Sequence, residues 1–170
     1  DEHTLRCLEI CESFAEEDSP VGAAYRNIHS KQLLHLALIL HDAGKGFEED
    51  HSELGRRMAL DICQRLQLNQ HEIGIVSFLV HKHLKMADLG FRYDTTDPQV
   101  VLEFSHEVGS AEKLRMLYVL TAADVSGVGP GVWTAWKADL LADFYKRLMT
   151  TLSGLPPRFH EEERLREIRE

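Results

Sequence analysis

Apolar residues along most of this chain recur at spacings of three and four, which is the periodicity of one face of an α-helix. No segment of useful length shows the alternation that predicts a half-buried strand. Seven segments carry the helical spacing and are predicted to be helices: 2–17, 31–43, 51–66, 69–87, 97–107, 110–125 and 131–150. The chain is therefore predicted to be all-α, a single helical bundle.

Residues that start and stop helices stand at several segment ends. Asn69, Asp97 and Ser110 occupy expected N-cap positions, and Pro98 suits a first helical position. Breaks are expected at 18–22, 44–50, 88–96, 127–131 and 154–157. The 170 residues fit one domain. We place this domain at 1–155, and we expect residues 156–170, which carry charges of both signs, to form a charged helical tail.

The charge balance argues against one broad class of partner. The chain has 19 lysine and arginine residues against 28 aspartate and glutamate residues, a net charge of −9. Binding to a nucleic-acid backbone depends on a basic surface, so no nucleic-acid partner is expected. A small phosphorylated substrate stays open, because bound divalent cations would supply local positive charge.

Nothing in the sequence resembles a membrane span or a signal peptide. The longest apolar run, 36–40, is far shorter than the roughly 20 residues that a transmembrane helix needs. Cys7, Cys11 and Cys63 form no CxxC pair and are expected to be reduced thiols. We therefore expect a cytoplasmic protein with no membrane partner. The first residue is Asp1, so the chain is expected to be a segment of a longer protein.

The strongest local signal for chemistry is a His-Asp pair at the end of an apolar helix. The run 36–40 leads directly into His41 and Asp42, and Gly44 can end the helix. An imidazole and a carboxylate together suit a first-row divalent metal ion. Taken alone, the pair is explained equally well by a capping aspartate beside a core histidine.

Three further residues favour a metal site over a capping aspartate beside a core histidine. His3, His83 and Asp124 each lie on a run of apolar residues at helical spacing, and each is therefore predicted to face inward. A buried carboxylate such as Asp124 needs a metal, a partner charge or several donors, because an isolated buried charge is costly. Together with His41 and Asp42, these residues predict a metal centre between helices.

Two other histidines need separate treatment. His51 opens the helix after the His-Asp pair and is predicted to bind a second metal ion that shares Asp42 as a bridge; the alternative is a first-turn surface residue. His81 lies about 200° from His83 around their common helix, so both cannot face one centre. We leave His81 out. The remaining histidines, at 29, 35, 71, 106 and 160, show no convergence.

Lys45 follows the His-Asp pair, just past the predicted helix end. Near a metal centre its ammonium could hold a phosphoryl oxygen and stabilise charge in the transition state. An exposed lysine that interacts with the helix dipole is the alternative. We predict that Asp42 and Lys45 are the catalytic residues.

The order His3, His41-Asp42, Asp124 resembles the HD phosphohydrolase superfamily, and His51 and His83 resemble the extra histidines of its two-metal members. Longer stretches are similar to the HD domain of bacterial PII uridylyltransferase/uridylyl-removing enzymes. They are DEHT at 1–4, HDAGKG at 41–46, DHSELG at 50–55 and VGPGVW at 128–133 followed by Trp136-Lys137. The last stretch is the most specific, since a general HD hydrolase has no need of it.

This resemblance implies a function. In that family the HD domain removes uridylyl groups from a tyrosine of the PII nitrogen-signalling protein and releases UMP. It implies one or two divalent ions (Mn, Fe, Mg or Zn), a uridylylated PII-type protein as partner, and covalently linked nucleotidyltransferase and ACT domains. The metal ligands would be His3, His41, Asp42, His51, His83 and Asp124.

Two positions depart from the family pattern, and two other functions stay open. Lys82 stands where the family commonly has a histidine, and Tyr93 where it tends to have an arginine. One alternative is an HD hydrolase of a free nucleotide or dinucleotide. The other is a non-catalytic regulatory HD module, against which the intact ligand set argues.

Overall fold

The computed structural model describes residues 1–154, which fold into nine α-helices. Their bounds are α1 Glu2–Ser13, α2 Pro20–Arg26, α3 Lys31–Leu40, α4 His51–Arg65, α5 Gln70–Lys82, α6 Lys85–Arg92, α7 Pro98–Val108, α8 Ala111–Val128 and α9 Ala135–Gly154. No strand occurs within these residues, and the all-α prediction is confirmed. The tail predicted at 156–170 lies outside the described residues.

Side-chain caps fix where most of the helices begin. Asn69 forms a capping box with Glu72, and the side chains of Asp97 and Ser110 accept hydrogen bonds from first-turn amides of α7 and α8. These caps satisfy amides that have no partner within a helix. All three predicted N-caps are confirmed.

Two predicted breaks are wrong, because each contains part of a short helix. The break at 18–22 contains Ser19, whose side chain caps α2 with Pro20 at the first helical position. The break at 88–96 contains the second half of α6, so the predicted helix 69–87 is two helices. Helix α9 also begins later than predicted, at Ala135: Gly131 in the preceding turn has a left-handed φ of 78°, and the Thr134 hydroxyl accepts from the amide of Lys137.

Helix α8 is the centre of the bundle. Ten of its residues are buried, and it packs against α1, α2, α3, α5, α6 and α9. Helices α4 and α5 pack closely against each other, and α5 also contacts α3. Helices α1, α3 and α5 therefore all pack against α8 and α3 contacts both of the others. The candidate metal centre lies at this junction. None of the helices in the described part of the chain is long and apolar enough to span a membrane.

Candidate metal centre

His41 is held with one ring nitrogen free. Helix α3 ends at Leu40, and the fully buried His41 follows in helical conformation. Its Nδ1 lies 2.6 Å from the carbonyl oxygen of Leu38. A carbonyl can only accept, so Nδ1 carries the proton and Nε2 keeps its lone pair in the neutral ring. Metal-binding histidines are commonly oriented in this way.

His3 and His83 are oriented in the same manner by other helices. Nδ1 of His3 donates to the carbonyl oxygen of Gly127 at 3.1 Å, near the end of α8. Nδ1 of the buried His83 donates to the carbonyl oxygen of Val80 at 2.6 Å. Three imidazoles from α1 and the ends of α3 and α5 thus share one tautomer, with Nε2 available as a ligand atom.

Two carboxylates face these nitrogens. Oδ1 of Asp124 lies 2.8 Å from Nε2 of His3 and 3.3 Å from Nε2 of His41. Oδ2 of Asp42 lies 3.5 Å from Nε2 of His41 and 3.9 Å from Nε2 of His3. With ligand bonds of about 2.0–2.2 Å, two atoms on one ion lie no more than about 4.4 Å apart. Each of these four distances is short enough for the two atoms that it joins to bind one ion.

Unpaired buried atoms show that this donor set fits a metal. Nε2 of His41 and Nε2 of His83 are both buried and make no hydrogen bond with the described residues. Buried polar atoms are normally paired, because an unsatisfied one costs about 1–3 kcal/mol. Divalent cations bound beside these nitrogens would satisfy both of them and offset the charge of the two carboxylates.

The histidines and carboxylates of the centre shift each other's pKa. Burial alone lowers the pKa of His41, but contact with the Asp124 carboxylate outweighs it and the pKa is raised. Burial alone raises the pKa of Asp124, but contact with the His41 and His3 imidazoles outweighs it and the pKa is lowered. Asp124 is therefore ionised at neutral pH and is available as an anionic ligand.

A second group lies on the other side of Asp42. Oδ1 of Asp42 is 3.7 Å from Nε2 of His83, and the His83 ring centroid is 6.0 Å from that of His51. The two oxygens of Asp42 thus face different histidines, and the His83 ring lies between those of His51 and His41, 5.3 Å from the latter. His81 is not part of either group, since its Nε2 lies 3.4 Å from Glu53.

Lys45 lies at the exposed edge of the centre. Its ammonium donates to Oδ2 of Asp42 at 2.9 Å, while 66% of its side chain is exposed. Gly44 lies in the same turn and packs directly against α4. A Cβ at this position would lie 2.1 Å from the carbonyl oxygen of His51, so only glycine allows the turn to come this close. This close approach places the start of α4 beside the His-Asp pair.

Sequence reasoning missed Cys7, which it treated as a reduced thiol. Its buried Sγ lies 3.5 Å from Nε2 of His3, and His3, Cys7, His41 and Asp124 form a group that could hold a metal ion. Burial, with the charges of Asp124 and Asp42, raises the pKa of this thiol to about 12. The spacing of four from His3 was the signal that could have placed it here.

The chain shows similarity to known proteins over most of its length. A family model described as "HD domain" matches residues 1–124. Curated relatives named bifunctional uridylyltransferase/uridylyl-removing enzyme include one from Zymomonas mobilis, which is 39% identical over 151 residues, covering 86% of this chain and 16% of the relative. One from Phenylobacterium zucineum is 41% identical over 159 residues, covering 91% and 17%. One from Gluconobacter oxydans is 42% identical over 128 residues, covering 75% and 14%.

The family model covers most of this chain, whereas the chain covers only a small part of each curated relative. The chain spans about a sixth of the length of these curated relatives. The family model, in contrast, begins at residue 1 and ends at Asp124, so it includes each of the predicted ligands within one match. On this coverage, the chain belongs to the HD domain family.

Proposed function

We propose that this chain is a metal-dependent phosphodiester hydrolase that removes the uridylyl group from a tyrosine of a uridylylated PII-type protein and releases UMP. The observation that carries the proposal is the pair of buried, unpaired Nε2 atoms of His41 and His83, which face carboxylates. The name that the relatives share supports the uridylyl group as the one removed.

The metal ligands follow from the two faces of Asp42. His3, His41, Asp42 and Asp124 would hold one ion, and Asp42, His51 and His83 would hold a second. The imidazoles suit Fe or Zn, and the two carboxylates also suit Mn, whereas Mg is usually bound by carboxylates and water. A bound divalent ion polarises phosphoryl oxygens and lowers the pKa of water, so that a nucleophile is available near neutral pH.

The protein's own residues bind and orient the ester. The Lys45 ammonium is exposed and close to Asp42, so it can donate to a non-bridging phosphoryl oxygen and stabilise the charge that develops there. The tyrosine leaves as a phenolate, whose conjugate acid has a pKa near 10. A strong general acid is therefore not required, and Asp42 acts as a ligand instead of a proton donor.

The setting of this activity is also part of the proposal. Because the relatives are about six times longer than the matched segment, we place the chain beside linked nucleotidyltransferase and ACT domains in a cytoplasmic enzyme. The ACT and nucleotidyltransferase domains would then bind their own ligands, while hydrolysis occurs at the centre between α1, α3, α5 and α8.

UMP release tests the proposal directly. The chain is loaded with Mn²⁺ and incubated with uridylylated PII protein, and UMP is measured by chromatography. Release of UMP by the wild type and by Asp139→Ala, an exposed aspartate on α9, is expected, with none from Asp42→Ala. Turnover of free nucleotides without UMP release would favour the free-nucleotide hydrolase. Metal binding without hydrolysis of either substrate would favour the regulatory module.

A further inference from the structure

A cavity lies between α4, α5 and α6, outside the metal centre. Its volume is about 510 Å³, within the range of small-molecule sites. The residues of its lining that matter here are Ser52, Lys82, Leu84, Lys85, Asp88 and Phe91. None of them was predicted to be a site residue, and the metal centre uses none of them.

The cavity borders the metal centre on one side. Ser52 directly follows His51 on α4. Lys82 and Leu84 both line the cavity and are the two neighbours of His83 in the chain. The chain neighbours of both proposed histidine ligands of the second ion therefore line the cavity.

Ion pairs neutralise most of the cationic side chains in the lining. Lys82 forms an ion pair with Glu107 at 2.7 Å, and Arg92 lies 3.4 Å from Asp88. This leaves Lys85 as an exposed cation at the rim. The cavity therefore has little net charge, which suits a neutral polar group better than an acidic peptide.

The remaining surface combines apolar and hydrogen-bonding groups. Leu84 is 45% exposed, and the half-buried Phe91 adds an aromatic ring. Ser52 and Lys85 can donate hydrogen bonds, and Asp88 can accept them. Enzymes that hold a nucleobase in a pocket use the same combination, namely contact with an aromatic or apolar side chain and hydrogen bonds to the edge of the base.

We propose that this cavity binds the nucleoside, meaning the ribose and base, of the nucleotide ester that is hydrolysed at the metal centre. This inference rests on the proposed phosphodiester hydrolysis. Leu84 and Phe91 contact the base, Lys85 donates to a base carbonyl, and Asp88 accepts from a ribose hydroxyl. The cavity then makes the site selective for nucleotidyl esters over simple diesters.

Two chromogenic substrates test this assignment. The 4-nitrophenyl ester of UMP contains the nucleoside, and bis(4-nitrophenyl) phosphate does not. In Leu84→Ala and in Lys85→Ala, the ratio of kcat/KM for the nucleoside ester to that for the simple diester is expected to fall about tenfold, the size of one lost pocket contact. Leu102→Ala on α7 and Lys146→Ala on α9 are matched exposed controls, and their ratio is expected to equal that of the wild type.

The outcomes separate this inference from the proposed function. An unchanged ratio in both cavity variants would overturn the nucleoside site while leaving hydrolysis intact. An equal loss with both substrates would also overturn it, because the damage would then lie at the centre. A wild-type chain that hydrolyses neither substrate would instead contradict the proposed function. Circular dichroism confirms that each variant is folded.

Discussion

Nε2 of His3 lies 2.8 Å from Oδ1 of Asp124, although 121 positions separate the two residues in the sequence. The Gly127 carbonyl accepts the Nδ1 proton of His3, so a neutral His3 presents a lone pair to a carboxylate. Two acceptors in contact are favourable only with a proton or a cation between them. The packing of α1 against α8 thus places two acceptors in contact, and a proton or a cation between them stabilises this arrangement.

Replacing Asp42 by alanine is expected to abolish metal retention and hydrolysis together. The two oxygens of Asp42 face different groups of histidines, His3 and His41 through Oδ2 and His83 through Oδ1. Elemental analysis after desalting measures the metal, and a chromogenic diester measures hydrolysis. Asp139→Ala is the control. An Asp42→Ala protein that retains full metal would show that Asp42 is not a ligand.

Lys45→Ala is expected to keep its metal and to slow hydrolysis on the order of a hundredfold, the cost of one preorganised electrostatic contact. Lys45 contacts Oδ2 of Asp42 from an exposed position and is not itself one of the proposed ligands, so its removal leaves the histidine and carboxylate ligands in place. Lys146→Ala, another exposed lysine, should hydrolyse at the wild-type rate. Loss of metal in Lys45→Ala, or full activity, would assign this lysine a different role.

His83→Leu is expected to lower the metal-to-protein ratio by one ion while the ion at His3, His41 and Asp124 stays bound. His83 is buried, and leucine fills a buried position without placing a new polar atom there. His81→Leu, two positions away on α5, is the matched control, because its side chain faces Glu53. A loss of metal in His81→Leu but not in His83→Leu would reverse the helical phase on which the assignment depends.

Helical periodicity explains how much could be predicted from the sequence. The spacing of apolar residues predicted inward positions for His3, His83 and Asp124, and the structure places all three at the junction of helices. Helical phase likewise separates His83 from His81. Inward placement is a local property of a helix, so a single sequence is enough to predict it.

Other parts of the site have no comparable signal. The carbonyl oxygens of Leu38, Val80 and Gly127 orient the three imidazoles, but every residue has a carbonyl and no side chain marks which one is used. Helix α6 is only eight residues long, and one of its two buried residues is Gly90, a residue type that favours a break in a short segment. Tertiary packing decides both features.

Replacing Gly44, in the turn after the His-Asp pair, is expected to change helix packing and metal binding together. A Cβ at Gly44 would lie 2.1 Å from the carbonyl oxygen of His51 and 2.8 Å from the amide nitrogen of Gly55. Both atoms belong to the backbone of α4, so rotation of a side chain cannot relieve the clash. In Gly44→Ala, either the turn that carries Lys45 or the start of α4 must move.

Gly44→Ala is therefore expected to lower the free energy of unfolding by about 1–3 kcal/mol, the usual cost of overpacking, and to weaken the ion bound by His51. Gly74→Ala is the control: Gly74 is exposed on α5, and a Cβ there meets no atom within 4 Å. Alanine at this helical position should raise the free energy of unfolding by about 0.5–1 kcal/mol. Urea unfolding measures both changes, and metal analysis follows the ion. Equal stability of the two variants would mean that the turn does not pack against α4, and the position of His51 beside His83 would then lose its structural basis.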